Sequence, residues 1–317
     1  RPSISVSVPA INIPSSFKES LYPANIEMRF PEYTNGEIIR QGLEFDRSLI
    51  SQLKEWQIDD WSDYELKSVK PEDVVIVTFA SENHFEESKA AILNWRQYAK
   101  NNKIVYYDCG LTPEQRQELL PVCNLELRTF NFSKYPENVK LLKTYRFKPI
   151  INAEVFAEFP AYFAVDASIR FKYSFDDVVN KVSSGSIAPY QSGGPSSHSV
   201  FVSTHLGMFD YLPMIAPKTY ANEFESNVAY IQQSDYAREV VKWHVLCALT
   251  AECFAPSHSK INCEFGNDRT HQYAHCHRYD QSSINIILST MKERYPGKYQ
   301  KLNMLSYLNV WREDKYK

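Results

Sequence analysis

The chemistry of this chain is most readable at Asp166. It closes an apolar run, Ala161-Tyr162-Phe163-Ala164-Val165, and is followed by Ala167, Ser168, Ile169 and Arg170. A carboxylate at the end of a buried strand, with small residues after it, suits a divalent ion such as Mg²⁺ or Mn²⁺. Such ions take oxygen ligands and keep positions open for phosphate oxygens. They also neutralise the charge that develops on a diphosphate leaving group. A usual arrangement places two acids two residues apart; here the second position is Ser168, able to bond phosphate or a metal-bound water. Asp166 is equally suited to capping its strand or pairing with Arg170.

A second cluster lies late in the chain, "AHCHRYDQSSIN", with His271 and Asp268 just before it. His275 or His277 is expected to complete a metal site with Asp166. Residues two apart point to opposite sides of an extended segment, so one imidazole at most faces the ion. Asp280 and Gln281 open a helix expected over 282–289, in which Asp280 also suits the N-cap.

The elements that must position these residues begin at Asp73. "DVVIVTFAS" reads as a buried parallel strand. "HFEESKAAILNWRQYAK" follows with apolar residues at helical spacing. "KIVYYDCG" is a strand ending in Asp108, and Thr112 and Pro113 stand at the N-cap and N1 of the next helix. "LELRTFNF" is a strand, "KPIINAEVFAEF" a helix, and "AYFAVDAS" the fourth strand. This alternation specifies an α/β fold with a parallel sheet covered by helices. Ligands of such sheets bind beyond the carboxyl ends of the strands. Asp108 and Asp166 sit at that edge, as do Ser81, Asn83 and His84. Lys148 and Arg146, near the start of the helix before Asp166, are placed to help a leaving diphosphate.

Residues 1–70 read as a Pro- and Ser-rich stem followed by an accessory helix in "NGEIIRQGLEFDRSLISQLKEW"; 71–317 form the main domain. "SSGSIAPYQSGGPSSHS" (183–199) reads as a mobile loop. A helix is expected in "SDYAREVVKWHVLCALTAE".

The chain has 317 residues, 44% hydrophobic and 23% charged, with net charge −3. That balance gives no reason to expect nucleic acid as a partner. The 21 Tyr and 18 Phe suit a filled core or platforms for sugars. No stretch approaches the ~20 apolar residues of a membrane span. The chain starts at Arg1, which suits a trimmed or mature fragment from which an anchor or signal has been removed. No G-x-G-x-x-G follows the first strand, and neither a P-loop nor a G-x-S-x-G elbow occurs, which lowers the dinucleotide, ATPase and hydrolase readings. The six cysteines lack any C-x-x-C pair, which disfavours zinc. Disulfides Cys247–Cys253, Cys263–Cys276 and Cys109–Cys123 are expected, the first only if the helix stops between its partners. Asn131-Phe132-Ser133 is a glycosylation sequon.

Taken together, "DVVIVTFASENHFEES", "KIVYYDCGLTPEQ", "YRFKPIINAEVFAEFPAYFAVDASIRF", "WHVLCALTAECFAP" and "CHRYDQSSINIIL" resemble a nematode-expanded family of largely uncharacterised proteins akin to Golgi glycosyltransferases of the nucleotide-sugar-binding GT-A fold. The resemblance covers about residues 71 to 295. It implies a UDP-sugar donor, Mn²⁺ or Mg²⁺, a glycan or glycoprotein acceptor, and a Golgi or secretory setting as a type II membrane protein whose anchor lies outside this chain. By position it maps the metal and diphosphate onto Asp166, a late ligand onto His275 or His277, and a helix-start element onto Asp280, Gln281 and Asn285. Asp280 would be the base of an inverting reaction or would orient the sugar in a retaining one. Ser168 departs from the family's acid, which keeps a catalytically inactive, glycan- or protein-binding domain as the alternative.

Overall fold

The computed structural model describes residues 32–34, 37–39, 49–59, 62–212, 214, 219–295 and 300–311. The Pro- and Ser-rich start of the chain lies outside them. A short antiparallel pair, β1 (Glu32–Thr34) and β2 (Glu37–Ile39), precedes α1 (Leu49–Glu55). The accessory helix is therefore shorter than its periodicity suggested, since part of that stretch pairs as a strand.

The strand–helix rhythm follows as β3 (Val75–Ala80), α2 (Phe85–Tyr98), β4 (Ile104–Asp108), α3 (Pro113–Leu119), β5 (Leu125–Thr129), α4 (Phe147–Phe156) and β6 (Ala161–Val165). Short elements come next: β7 (Ile169–Phe171), α5 (Asp176–Ser183), β8 (Tyr190–Ser192), β9 (Pro195–Ser199), α6 (Val200–Ser203), β10 (Asn222–Phe224) and β11 (Val228–Gln232). The long helices α7 (Asp235–Leu249) and α9 (Asp280–Arg294) flank the short α8 (Ala251–Phe254), and β12 (Leu308–Val310) pairs with β7. The capping box of α3 forms as its sequence implies, with Thr112 and Gln115 bonded reciprocally and Pro113 in the first turn.

The central sheet runs β5-β4-β3-β6-β11-β8. Its first four strands are parallel; β11 is antiparallel to both β6 and β8. It is thus a mostly parallel sheet flanked by helices. β3 is buried throughout, and its side chains alternate between two cores. Val75, Val77 and Phe79 face α4, α7 and α9; Ile76 and Ala80 face α2 and α5.

The stretch 183–199 is not a loop throughout. Tyr190, Gln191 and Ser192 form the sheet's edge strand and are buried. Gly193 marks a close backbone approach: a Cβ there would lie 2.4 Å from the Glu225 carbonyl oxygen.

Two of the expected disulfides are present. α7 ends at Leu249 and the backbone turns extended at Thr250, which brings the Cα atoms of Cys247 and Cys253 to 5.2 Å. Cys263 and Cys276 bond as well. Cys109–Cys123 does not form. Cys109 follows the carboxyl end of β4, whereas Cys123 precedes β5 at the opposite edge, and parallel pairing keeps those ends about a strand, ~16 Å, apart. Cys123 is exposed and Cys109 buried, and burial pushes the Cys109 thiol well above its ordinary range. A thiol reagent should therefore label Cys123 in the native protein and Cys109 only after unfolding. Labelling of any other cysteine in a mass map would contradict this pairing.

Candidate functional site

The chain winds outward from β3 through β4 to β5, then crosses back by α4 to place β6 on the other side of β3. Adjacent parallel strands whose connections leave in opposite directions open a crevice at their carboxyl ends. Asp166, the residue after β6, lies at this switch point. Its backbone N–H donates to the Asn227 carbonyl (2.8 Å), which fixes it against the start of β11.

Lys148 arrives from the first turn of α4. Its Nζ is 2.9 Å from Asp166 Oδ1 and 3.1 Å from Asp280 Oδ2. Asp280, the first residue of α9, also accepts from the Ser226 hydroxyl at 2.7 Å. Residues 166 and 280 are thus joined through one ammonium. Burial alone would lower the Lys148 pKa, but the two carboxylates outweigh it and hold the group protonated far above neutrality. Asp166 keeps 26% of its side chain exposed, against 7% for Asp280, so Asp166 is the more accessible carboxylate.

The other expected site residues have partners of their own within the chain. Asp108 Oδ1 accepts from the backbone N–H groups of Gly110 and Leu111, and the carboxylate pairs with Arg116; it shapes the turn after β4. Ser81 donates to Asn83 Oδ1, and His84 pairs with Glu87. Arg146 is buried and donates to the carbonyls of Ala248, Thr250 and Ala251, so it closes the end of α7 rather than meeting a phosphate. Ser168 is buried, and its carbonyl accepts from the Trp311 N–H.

The late histidines do not supply the expected ligand. His277 is fully buried, and both of its nitrogens are taken: Nδ1 accepts from the His205 backbone N–H and Nε2 donates to the Phe254 carbonyl. Burial drives its pKa down to about 3, so the ring is a neutral structural link. His275 is exposed and stacks edge-on with Tyr273. One ring is exposed and the other buried, and the buried one turns to the backbone.

Gln281 and Asn285 clamp β10. Gln281 Nε2 donates to Glu223 Oε2 (2.8 Å), and the Asn285 amide exchanges two bonds with the Phe224 backbone. Glu223, which sequence reasoning missed, is fully buried beside His198, Ser203 and Ser282. Nothing in a lone acid between Asn222 and Phe224 signals this. Burial raises its pKa to about 8, opposed by the Ser203 hydrogen bond. The folded value exceeds the unfolded one, so the stability it confers is complete below about pH 4.5. It is lost as pH rises through about 8. Glu223→Gln should flatten the fall in Tm between pH 6 and 9 relative to the unaltered protein. Parallel Tm–pH curves for the two would refute this placement of the proton.

Among the described residues no group of three or more His, Cys, Asp or Glu side chains is gathered as a metal cage. Asp166 and Asp280 are nonetheless the hard oxygen donors that Mg²⁺ and Mn²⁺ use, and such ions are commonly held by one or two carboxylates plus substrate phosphates. Two carboxylates and one ammonium leave the crevice net negative, so a diphosphate needs additional positive charge to enter. The residues fit an ion carried in on a diphosphate, with Asp166 as its accessible protein ligand.

Residues 26–153 match a family model described as a protein of unknown function, DUF1647, over less than half of the chain. No curated protein matches. Among solved structures, the apo form of the bifunctional glycosyltransferase WbbM is 12% identical over 73% of this chain and 39% of its own, at a TM-score of 0.44. The chain therefore spans well under half of that protein. Mouse xyloside xylosyltransferase 1, apo form, is 12% identical over 73% of this chain and 85% of its own, at 0.43. Core-mannan synthase A from Aspergillus fumigatus, in its Mn/GDP form, is 10% identical over 52% and 60%, at 0.37. Likenesses this loose carry nothing about the chemistry of the crevice.

Proposed function

We propose that the crevice binds a nucleotide-sugar, a UDP-sugar accompanied by Mn²⁺ or Mg²⁺, and transfers the sugar to a glycan or glycoprotein acceptor. The observation that carries this reading is the Asp166–Lys148–Asp280 trio at the switch point of the sheet. Asp166 would hold the ion, which supplies charge neutralisation at the diphosphate when bound. Lys148, in the first turn of α4, adds a fixed cation where the helix amino end already favours phosphate. Asp280 would accept the acceptor hydroxyl's proton if the reaction inverts, and would orient the sugar if it retains. The resemblance in the sequence points the same way.

Two disulfides favour an oxidising compartment, which fits a Golgi or secretory setting. Asn131, in the sequon, is exposed. No helix among the described residues is long and apolar enough to cross a membrane; anchoring as a type II protein would rest on sequence outside this chain.

A second reading, a glycan- or protein-binding domain without transfer activity, is favoured by one feature: Lys148 already stands between the two carboxylates. Calorimetry with UDP, with and without Mn²⁺, tests the site, and release of UDP from UDP-sugars tests the chemistry. Binding without release supports the second reading; absence of UDP binding in Mn²⁺ sinks both the donor and the site assignment.

A further inference from the structure

Lys148, Asp166 and Asp280 form part of the wall of a small hollow of about 20 Å³, between the sheet and helices α4, α7 and α9. Its cause is a row of small side chains. Ala229 of β11 pairs with Ala164 of β6 on one side and Ser192 of β8 on the other, so the three face the same way across three strands. The neighbouring positions on that face carry Tyr162, Tyr190 and Ile231, which fill their share of the core.

The hollow is not apolar. Three side chains that line it carry buried polar atoms with no hydrogen-bond partner: Asn152 Oδ1, Ser192 Oγ and His244 Nε2. The residues are 7%, 1% and 5% exposed. An unpaired buried polar atom is costly, and three around one hollow, from three separate elements, call for a shared partner. Burial lowers His244 to about 4, so its ring is neutral, and its hydrogen bond to the Asp280 backbone uses the other nitrogen. Nε2 is therefore a lone-pair acceptor, as is Asn152 Oδ1, while the Ser192 hydroxyl can donate. A group with two hydrogens to give and a lone pair to receive matches all three. A hollow of this size exceeds the ~10–15 Å³ that one water requires, and the three polar atoms lie within the two to four partners such waters use.

We propose that this hollow is a binding site for a single neutral O–H group, occupied in the free protein by one internal water held by Asn152, Ser192 and His244. Water there ties α4, which carries Lys148, to α7 and the edge strand β8. A hydroxyl of the donor sugar, with one hydrogen to give and lone pairs to receive, would satisfy one of the two acceptors and the Ser192 hydroxyl, and is the other source; that exchange rests on the nucleotide-sugar reading, whereas the site itself does not.

Two measurements on the full chain test the site. A high-resolution crystal structure of the free protein should show one water within about 3.2 Å of at least two of the three atoms; an empty hollow overturns the proposal. The Ser192→Ala variant gives a test of sign. In a dry hollow the change removes an unsatisfied hydroxyl and raises Tm. At a water site it removes one of the water's partners, and Tm should fall by roughly 2–4 °C. An unchanged or higher Tm overturns the proposal. A structure with UDP-glucose then separates the sources: water retained in place assigns the site to solvent, and a sugar oxygen in its place assigns it to the donor.

Discussion

Asp166→Asn should weaken UDP binding in Mn²⁺ by at least 100-fold while the protein stays folded. The substitution keeps the shape of the side chain and removes its charge. A neutral amide is a poor ligand for a hard divalent ion, and without the ion the diphosphate meets only the Lys148–Asp280 pair, which is neutral overall and does not replace the lost divalent charge. A 100-fold loss corresponds to about 2.7 kcal/mol, within the range for losing a charged interaction. Folding should survive because Asp166 is the part-exposed member of the trio and Lys148 keeps its contact with Asp280. Calorimetric titration of UDP with Mn²⁺ in excess reads the loss, and thermal unfolding checks the fold. If the variant binds UDP as tightly as the parent, the diphosphate lies elsewhere and the switch-point assignment fails.

The parallel half of this fold was legible because β3, β4 and β6 are apolar runs, α2 carries a helical period, and α3 a capping box. The first turn of α3 and the strand-end place of Asp166 follow from such local signals. The antiparallel half was not. β8 and β11 are short, and β8 sits within a Gly- and Ser-rich stretch whose composition suits a loop; only pairing with β11 makes it a strand. At the site, position along the chain identified Asp166, Lys148 and Asp280, which the fold brings together. It did not separate them from Asp108, Arg146 and Gln281, which share residue type and neighbourhood but spend their polar atoms on turns, a helix end and a buried acid. Which partner a polar side chain takes depends on contacts 58 to 105 residues away for Gln281 and Arg146, and no local pattern reports such contacts. The same limit explains Cys109 and Cys123: no local pattern reports that parallel strand direction separates them.

Lys148→Met should be the most destabilising single change at the site, and its cost should depend on pH. Lys148 is 11% exposed and holds two carboxylates within 3.1 Å. Its raised pKa means the ammonium's contribution is present throughout the neutral range and is lost only as pH rises through the folded value, above the ordinary lysine range. Methionine fills much of the volume but leaves Asp280, nearly buried, without its cation. Breaking a buried pair from one side costs about 3–5 kcal/mol. The stranded carboxylates can recover by taking up protons, which the folded variant then does more readily than the unfolded chain. Its deficit in stability should therefore shrink as pH falls from about 7 towards 4. Adding Asp280→Asn removes the buried charge and should restore a large part of the loss at neutral pH. Urea titrations at several pH values, on the parent, the single variant and the double variant, measure all three effects. A deficit that is the same at pH 4 and pH 7, and that Asp280→Asn does not relieve, would mean that Lys148 contributes through packing alone, and that the ammonium does not act as the internal cation of the crevice.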